Sequence, residues 1–282
     1  MADEQCNHQT KRACVNGTNI LPWVERWLSP ERLAPYLEAS ECDAEKALEL
    51  YRWNVALGQF LMRDISYFEV ALRNAYNDTM EARWDGECHW LLDGDSPVRR
   101  PVMRKSGKGT VDVNRINRKI IDVAVNGLPE GFSSGDLVSN LTLGFWVHLT
   151  DRSREAVIWR TGLYAAWPKG TRRVALQNRL DGILRVRNRI AHNERLFNPK
   201  CEQLSPMRVN ADALALLGAA LPRGGGVRSR VRQGDYRRFP CAQPCACERE
   251  ALATSPVQHI AAHRYEHVSY NSVSETVLAD ST

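Results

Sequence analysis

At 282 residues, 43% of them hydrophobic, the chain is long enough for one large domain or two small ones with a real core. A charged fraction of 25% argues against wholesale disorder, and no stretch approaches the roughly 18 consecutive apolar residues of a membrane span. A polar N-terminus without an apolar signal core predicts a cytoplasmic protein with no membrane partner.

The net charge of +5 comes from 38 basic and 33 acidic residues, and only seven of the basic ones are lysine. Arginine's planar fork suits bidentate phosphate contact, which makes a nucleic-acid partner thinkable, although a G+C-rich genome gives the same bias. Eight scattered cysteines without a secretory signal read as mostly reduced thiols.

Residues 1–20 are polar and aperiodic, a flexible lead-in. Ser29-Pro30-Glu31 has the form of an N-cap with proline at the first helical position. From about Asp43 to Arg83, Ala44, Ala47, Leu48, Tyr51, Val55, Phe60 and Leu61 recur at three- and four-residue steps, the signature of an amphipathic helix. Asp64 to Ser66 are a candidate interruption, after which Phe68, Ala71, Leu72 and Ala75 resume the stripe. Residues 93–110, with two prolines and three glycines, read as a loop.

That loop and its sequel are strongly basic: Arg99, Arg100, Arg104, Lys105, Lys108, Arg115, Arg118 and Lys119 stand against Asp112 alone. Such a cluster is either a solvated face or an attractor for a polyanion. Further helices are expected over Asn114–Ala124, over Asp136–Leu149 with Ser133 or Ser134 as cap, from Thr171 to about His192, and over Ala211–Ala220. No sustained period-two run marks a strand. The expected fold is all-α, a multi-helix bundle over 21–221. Beyond Leu221 the texture changes to arginine-, cysteine- and then serine-rich sequence without periodicity, so 222–282 reads as a low-structure tail, possibly frame-shifted.

The sharpest chemistry lies at the end of the helix that follows Thr171. Leu176, Leu180, Ile183 and Leu184 set its apolar stripe, and Arg187 continues it. A guanidinium at such a position needs either a carboxylate partner or an anion. Arg187-Asn188-x-x-Ala191-His192 resembles the Arg-x4-6-His motif of the HEPN superfamily, and the wider match resembles its Abi-like (abortive infection) branch. Tyr67-Phe68-Glu69-Val70-Ala71-Leu72-Arg73-Asn74, Leu141-Thr142-Leu143-Gly144-Phe145-Trp146 and an Asn-Glu-Arg-Leu-Phe sequel to the histidine support it in order, over about 21–221.

The resemblance implies a metal-independent endoribonuclease with no cofactor, acting in phage defence or as a toxin. It further implies a homodimer with two motifs facing across the interface, and an antitoxin protein or RNA as a further partner. His192 would be the acid/base, Arg187 the phosphate clamp and Asn188 an orienting hydrogen-bonder. Attack of the RNA 2′-OH on its neighbouring phosphate would leave 2′,3′-cyclic phosphate ends. Candidate RNA contacts are Arg73, Arg99, Arg100, Arg104, Lys105, Arg185 and Arg189, with Glu69 and Asn74 in support. Glu69 and Arg73, four apart, read equally as a helix-surface ion pair, and His148 as a partly buried structural histidine. The alternative function is a catalytically inactive RNA-binding or protein-interaction module.

On a regular helix, five steps separate Arg187 and His192 by about 140°. Either the helix loosens before His192 or a second chain completes the site. Cys241, Cys245, Cys247, His259, His263 and His267 offer metal ligands, but Cys-x-Cys departs from the usual zinc spacing, so no metal is expected.

Overall fold

A computed structural model describes residues 22–107, 109–198 and 204–220. The expected lead-in, the 222–282 tail with its cysteine and histidine cluster, and Lys108 lie outside the described residues. The described architecture is all-α apart from one small hairpin, as the sequence predicts. The described residues form two compact units, 22–56 and 57–220.

In the first unit, α1 (Pro22–Leu28) and α2 (Pro30–Ala39) pack together, followed by the opening turns of α3 (Ala44–Glu81). Pro30 starts α2 at the position where a missing N–H is harmless, but the Ser29 hydroxyl makes no capping bond. Val24, Leu33, Tyr36, Leu37 and Ala47 form the buried face. Cys42 is disulfide-bonded. In the second unit, Cys88 is a free, exposed thiol.

The second unit is built on the rest of α3. Asp64 and Ser66 do not interrupt it, because both polar groups are satisfied within the helix. Asp64 Oδ1 accepts from Arg63 Nε at 2.9 Å, and Ser66 Oγ donates to the Met62 carbonyl at 2.7 Å. Leu61, Ile65, Phe68, Leu72 and Tyr76 are fully buried along its inner face. Trp90, Phe145 and Trp146 fill the core beside them, with the Trp90 and Trp146 rings edge-on at 6.3 Å.

The expected loop over 93–110 contains an antiparallel hairpin, β1 (Met103–Ser106) and β2 (Gly109–Asp112), with Arg104 opposite Val111. Its strands are four residues long and exposed on both faces, so no alternation betrays them in the sequence. α4 (Arg115–Asn126) follows. The single helix expected over Asp136–Leu149 is two, α5 (Ser134–Asn140) and α6 (Leu143–His148), because Leu141 and Thr142 adopt extended backbone. Ser133 is the cap and forms a reciprocal capping box with Asp136. Short 3-10 and wide turns occupy 152–166, before α7 (Arg173–Ala191) and α8 (Pro206–Ala220). α8 packs along α7, joined by an Arg179–Asp212 ion pair at 2.6 Å.

Buried Arg154 ties these parts together, donating to Asn117 Oδ1, the Val113 carbonyl, the His148 carbonyl and Asp151 Oδ2. Among the described residues no helix is long and apolar enough to cross a membrane.

Candidate functional site at the end of helix α7

Helices α3 and α6 both pack against α7. Ile190 packs on α3 at Gly58, and Leu184 lies against Gly144 of α6. At the other end, Tyr76 of α3 hydrogen-bonds Thr150, whose carbonyl accepts from Arg173 at the start of α7. Helices α3 and α7 therefore run antiparallel, and the motif end of α7 sits beside Gly58.

The helix does not loosen before the histidine. His192 N–H still donates to the Asn188 carbonyl at 3.0 Å, and α7 ends immediately afterwards in a reciprocal C-terminal lock. Asn193 adopts a left-handed φ of 52°, its N–H bonds the Ile190 carbonyl, and the Glu194 N–H bonds the Arg189 carbonyl. This is the Schellman arrangement, for which asparagine is one of the few tolerated non-glycine residues. Arg189 clamps the turn, donating to the Arg195 carbonyl and pairing with Glu194 at 3.5 Å, while Leu196 is buried near Gly58. The Asn-Glu-Arg-Leu-Phe sequel is thus a helix terminator that fixes where His192 stands. The sequence signals of this terminator are an asparagine directly after His192 and the apolar Leu196 three residues further on.

Within α7, Leu176, Leu180, Gly182, Ile183 and Val186 are buried, while Leu184 is only half-buried. Arg187 lies on the core side of the helix, half-buried, as the stripe predicts. Its Nε is shielded from solvent with no hydrogen-bond partner, and no carboxylate pairs with it among the described residues. Of the two expectations for Arg187, a buried ion pair is not formed. Arg185, Asn188 and His192 are exposed and share the opposite, outer face, so the guanidinium and the imidazole stand about 140° apart around one regular helix.

The supporting residues stand elsewhere. Glu69 and Asn74 are eleven and sixteen residues beyond Gly58 along α3, about 16 and 24 Å at the helical rise. Neither is joined to Arg187, Asn188 or His192 by a hydrogen bond among the described residues. The expected Glu69–Arg73 pair is not made, because Arg73 Nη1 reaches the Ser139 carbonyl at the end of α5 at 3.3 Å.

The basic segment divides into two kinds of residue. Arg99 donates to the Leu91 carbonyl and pairs with Asp122 at 2.7 Å. Arg118 donates to the Arg99 carbonyl and to Asp112. Burial alone would raise the Asp112 pKa, but hydrogen bonds from Arg118 and the Val102 and Asn114 N–H groups outweigh it and hold the carboxyl below its usual range. Arg100, Lys105, Arg115 and Lys119 are exposed and Arg104 is half-exposed, with no ion pair among the described residues.

His148 is more exposed than expected, with half its side chain in solvent. Its Nδ1 lies 3.2 Å from Asp151 Oδ2, and that hydrogen bond raises its pKa against the opposing effect of burial. Among the described residues no cluster of three or more histidine, cysteine, aspartate or glutamate side chains could hold a metal ion.

Comparison with curated proteins and with solved structures gives no match to either. The family model for Abi-like protein matches residues 32–198, a span that holds the 67–74, 141–146 and 187–192 segments and more than half of the chain. The chain belongs to the Abi-like protein family.

Proposed function

We propose that this chain is a metal-independent endoribonuclease of the HEPN type that acts in abortive infection, as a phage-defence effector or toxin. Membership of the Abi-like family suggests the biological setting. One observation carries the chemistry: a half-buried arginine with an unpartnered Nε, two residue positions before the Schellman lock begins and five before an exposed histidine. A guanidinium held partly out of water without a carboxylate is suited to an incoming phosphate, whose extra charge it stabilises in the phosphorane-like transition state. His192 removes the 2′-OH proton or protonates the 5′ leaving oxygen, Asn188 orients the phosphate, and the products carry 2′,3′-cyclic phosphate. Because the helix is regular, one chain does not bring Arg187 and His192 onto one face, and a second copy completes the site.

The test is RNA cleavage in EDTA by wild type, His192→Ala and Arg187→Ala. Cutting by wild type alone, with cyclic phosphate ends, supports the enzyme. Equal cutting by all three rejects it.

A second reading is an RNA-binding module without cleavage, favoured by the exposed cations Arg100, Lys105, Arg115 and Lys119 and by the lack of a hydrogen bond between His192 and Arg187 among the described residues. It is supported if wild type cuts nothing while Arg100→Ala/Arg104→Ala weakens RNA binding and flattens its salt dependence.

A further inference from the structure

Helix α4 carries two apolar stripes, and only one of them is covered. Ile121 and Ala124, with Asn117, face the core and are buried. Ile116, Ile120 and Val123 form the other stripe, at i, i+4 and i+7, within about 60° of one another around the helix. Ile116 is 67% and Val123 64% exposed, more than any other large hydrophobic residue described, and Ile120 is half-exposed. Lys119 and then Arg115 follow the stripe on its solvent side, within about the next 80°.

The charge around the stripe is one-sided. Both carboxylates between Arg99 and Asn126 are engaged, Asp112 by Arg118 and Asp122 by Arg99. Arg115 and Lys119 on the helix, and Arg100, Arg104 and Lys105 on the hairpin and its approach, make no ion pair among the described residues. The Asp112 carboxylate accepts from the Asn114 N–H at 3.0 Å and so fastens the base of the hairpin to the start of α4. Met103 and Val111 of the hairpin are 60% and 51% exposed, with Arg104 directly across from Val111.

We propose that the outer stripe of α4 is the docking site of an acidic amphipathic helix from a partner protein. Its apolar side chains cover Ile116, Ile120 and Val123, and its carboxylates meet Arg115 and Lys119. The arguments are spacing and charge complementarity. Three aliphatic side chains at i, i+4 and i+7 are the anchors of helix-on-helix recognition, and uncommitted cations along one border ask for anions on the facing element.

The same observations select against the other occupants. A second copy would bring Arg115 and Lys119 against themselves, with no free carboxylate on the stripe to offset them. RNA would satisfy the cations but not the aliphatics: from Pro101 to Gly131 the chain has no phenylalanine, tyrosine, tryptophan or histidine on which a base could stack. A bilayer surface takes a broad apolar face, whereas a stripe about 60° wide is a helix-packing seam. The inference goes beyond the nuclease reading and does not rest on it; it competes with RNA for these cations.

Fluorescence anisotropy with the full chain tests it. The probes are a labelled helical peptide of about fourteen residues with leucine at i, i+4 and i+7 flanked by glutamate, its lysine-for-glutamate twin, an oligouridine, and vesicles of phosphatidylcholine with phosphatidylglycerol. Wild type should bind the glutamate peptide at least about tenfold more tightly than the lysine peptide. Ile116→Ser/Val123→Ser and Arg115→Glu/Lys119→Glu should each weaken that binding at least about tenfold, with helical circular dichroism unchanged because all four side chains are exposed. No preference for the glutamate peptide, or binding indifferent to either pair of changes, overturns the proposal. Loss of helical signal in the serine pair also overturns it, since the stripe would then be packed in the free chain. Oligouridine binding that falls with the glutamate pair while the peptide stays unbound assigns the face to RNA. Vesicle binding that falls with the serine pair assigns it to lipid, and either outcome sinks the protein partner. RNA cleavage is read separately, so the nuclease reading stands or falls on its own.

Discussion

Ile190 rests directly on Gly58: a Cβ built at residue 58 would lie 3.3 Å from Ile190 Cγ2 and 3.7 Å from Leu196 Cδ1. Glycine in the middle of α3 sacrifices about 1 kcal/mol of helix propensity, and the close seat of the motif end of α7 is what it permits. In Gly58→Ala the propensity gain and the tight contact oppose each other, so the urea midpoint should move little. Gly58→Val should destabilise by about 1–3 kcal/mol through overpacking, and displace the end of α7. An unchanged urea midpoint for the valine variant would show that the two helices do not touch there.

Arg187 makes no ion pair among the described residues, so it should be dispensable for folding. Arg187→Met keeps the apolar stem and removes the unpartnered Nε, and stability should change by less than about 1 kcal/mol or rise. If the chain cleaves RNA as proposed, cleavage measured in parallel should be abolished. A large loss of stability would mean that the guanidinium has a structural partner after all.

Arg99 and Arg100 are sequence neighbours with opposite expectations. Arg99→Ala breaks bonds to Asp122 and the Leu91 carbonyl from a side chain only 17% exposed, and should destabilise by about 1–3 kcal/mol. Arg100→Ala should stay within about 0.5 kcal/mol, as exposed surface changes do. Thermal denaturation distinguishes them. If the basic face meets RNA, the Arg100 variant alone should lower affinity without lowering Tm.

Tyr76, fully buried, joins Thr150 Oγ1 at 2.8 Å and accepts from Trp167 Nε1 at 3.1 Å, and burial pushes its phenol pKa up. Tyr76→Phe strands the hydroxyl and the indole N–H in the core. Denaturant unfolding should register a loss of about 1–3 kcal/mol. A neutral result would place water at the vacated oxygen.

His148 should make stability depend on pH. Its pKa is raised by Asp151, so its contribution is complete below the ordinary histidine value and fades as pH rises through the folded-state value. His89 acts in the opposite sense: burial lowers its pKa despite nearby Glu81, so its contribution is lost as pH falls. The difference between wild type and His148→Asn isolates the first. Its unfolding free energy should shrink on going from about pH 6 to pH 8. A flat difference curve would show that the Asp151 contact is absent in solution.

The local signals in the sequence were enough for the helical class, the position of α7 and the half-burial of Arg187. Helix periodicity, the Pro30 start and the Ser133 cap are written within a few residues of where they act. Without tertiary structure the sequence could not show that Arg99 is an internal staple while Arg100 is exposed, that Arg73 turns to Ser139 rather than Glu69, or that Arg187 meets no carboxylate among the described residues. Each depends on which distant backbone atom or side chain comes within hydrogen-bond reach. The hairpin stayed hidden for a related reason: its strands bury neither face, so the solvent-exposed sequence carries no period. Composition and spacing tell which side chains lie on one face of one helix; only the packing of helix on helix decides which charges are satisfied and which are left for a ligand.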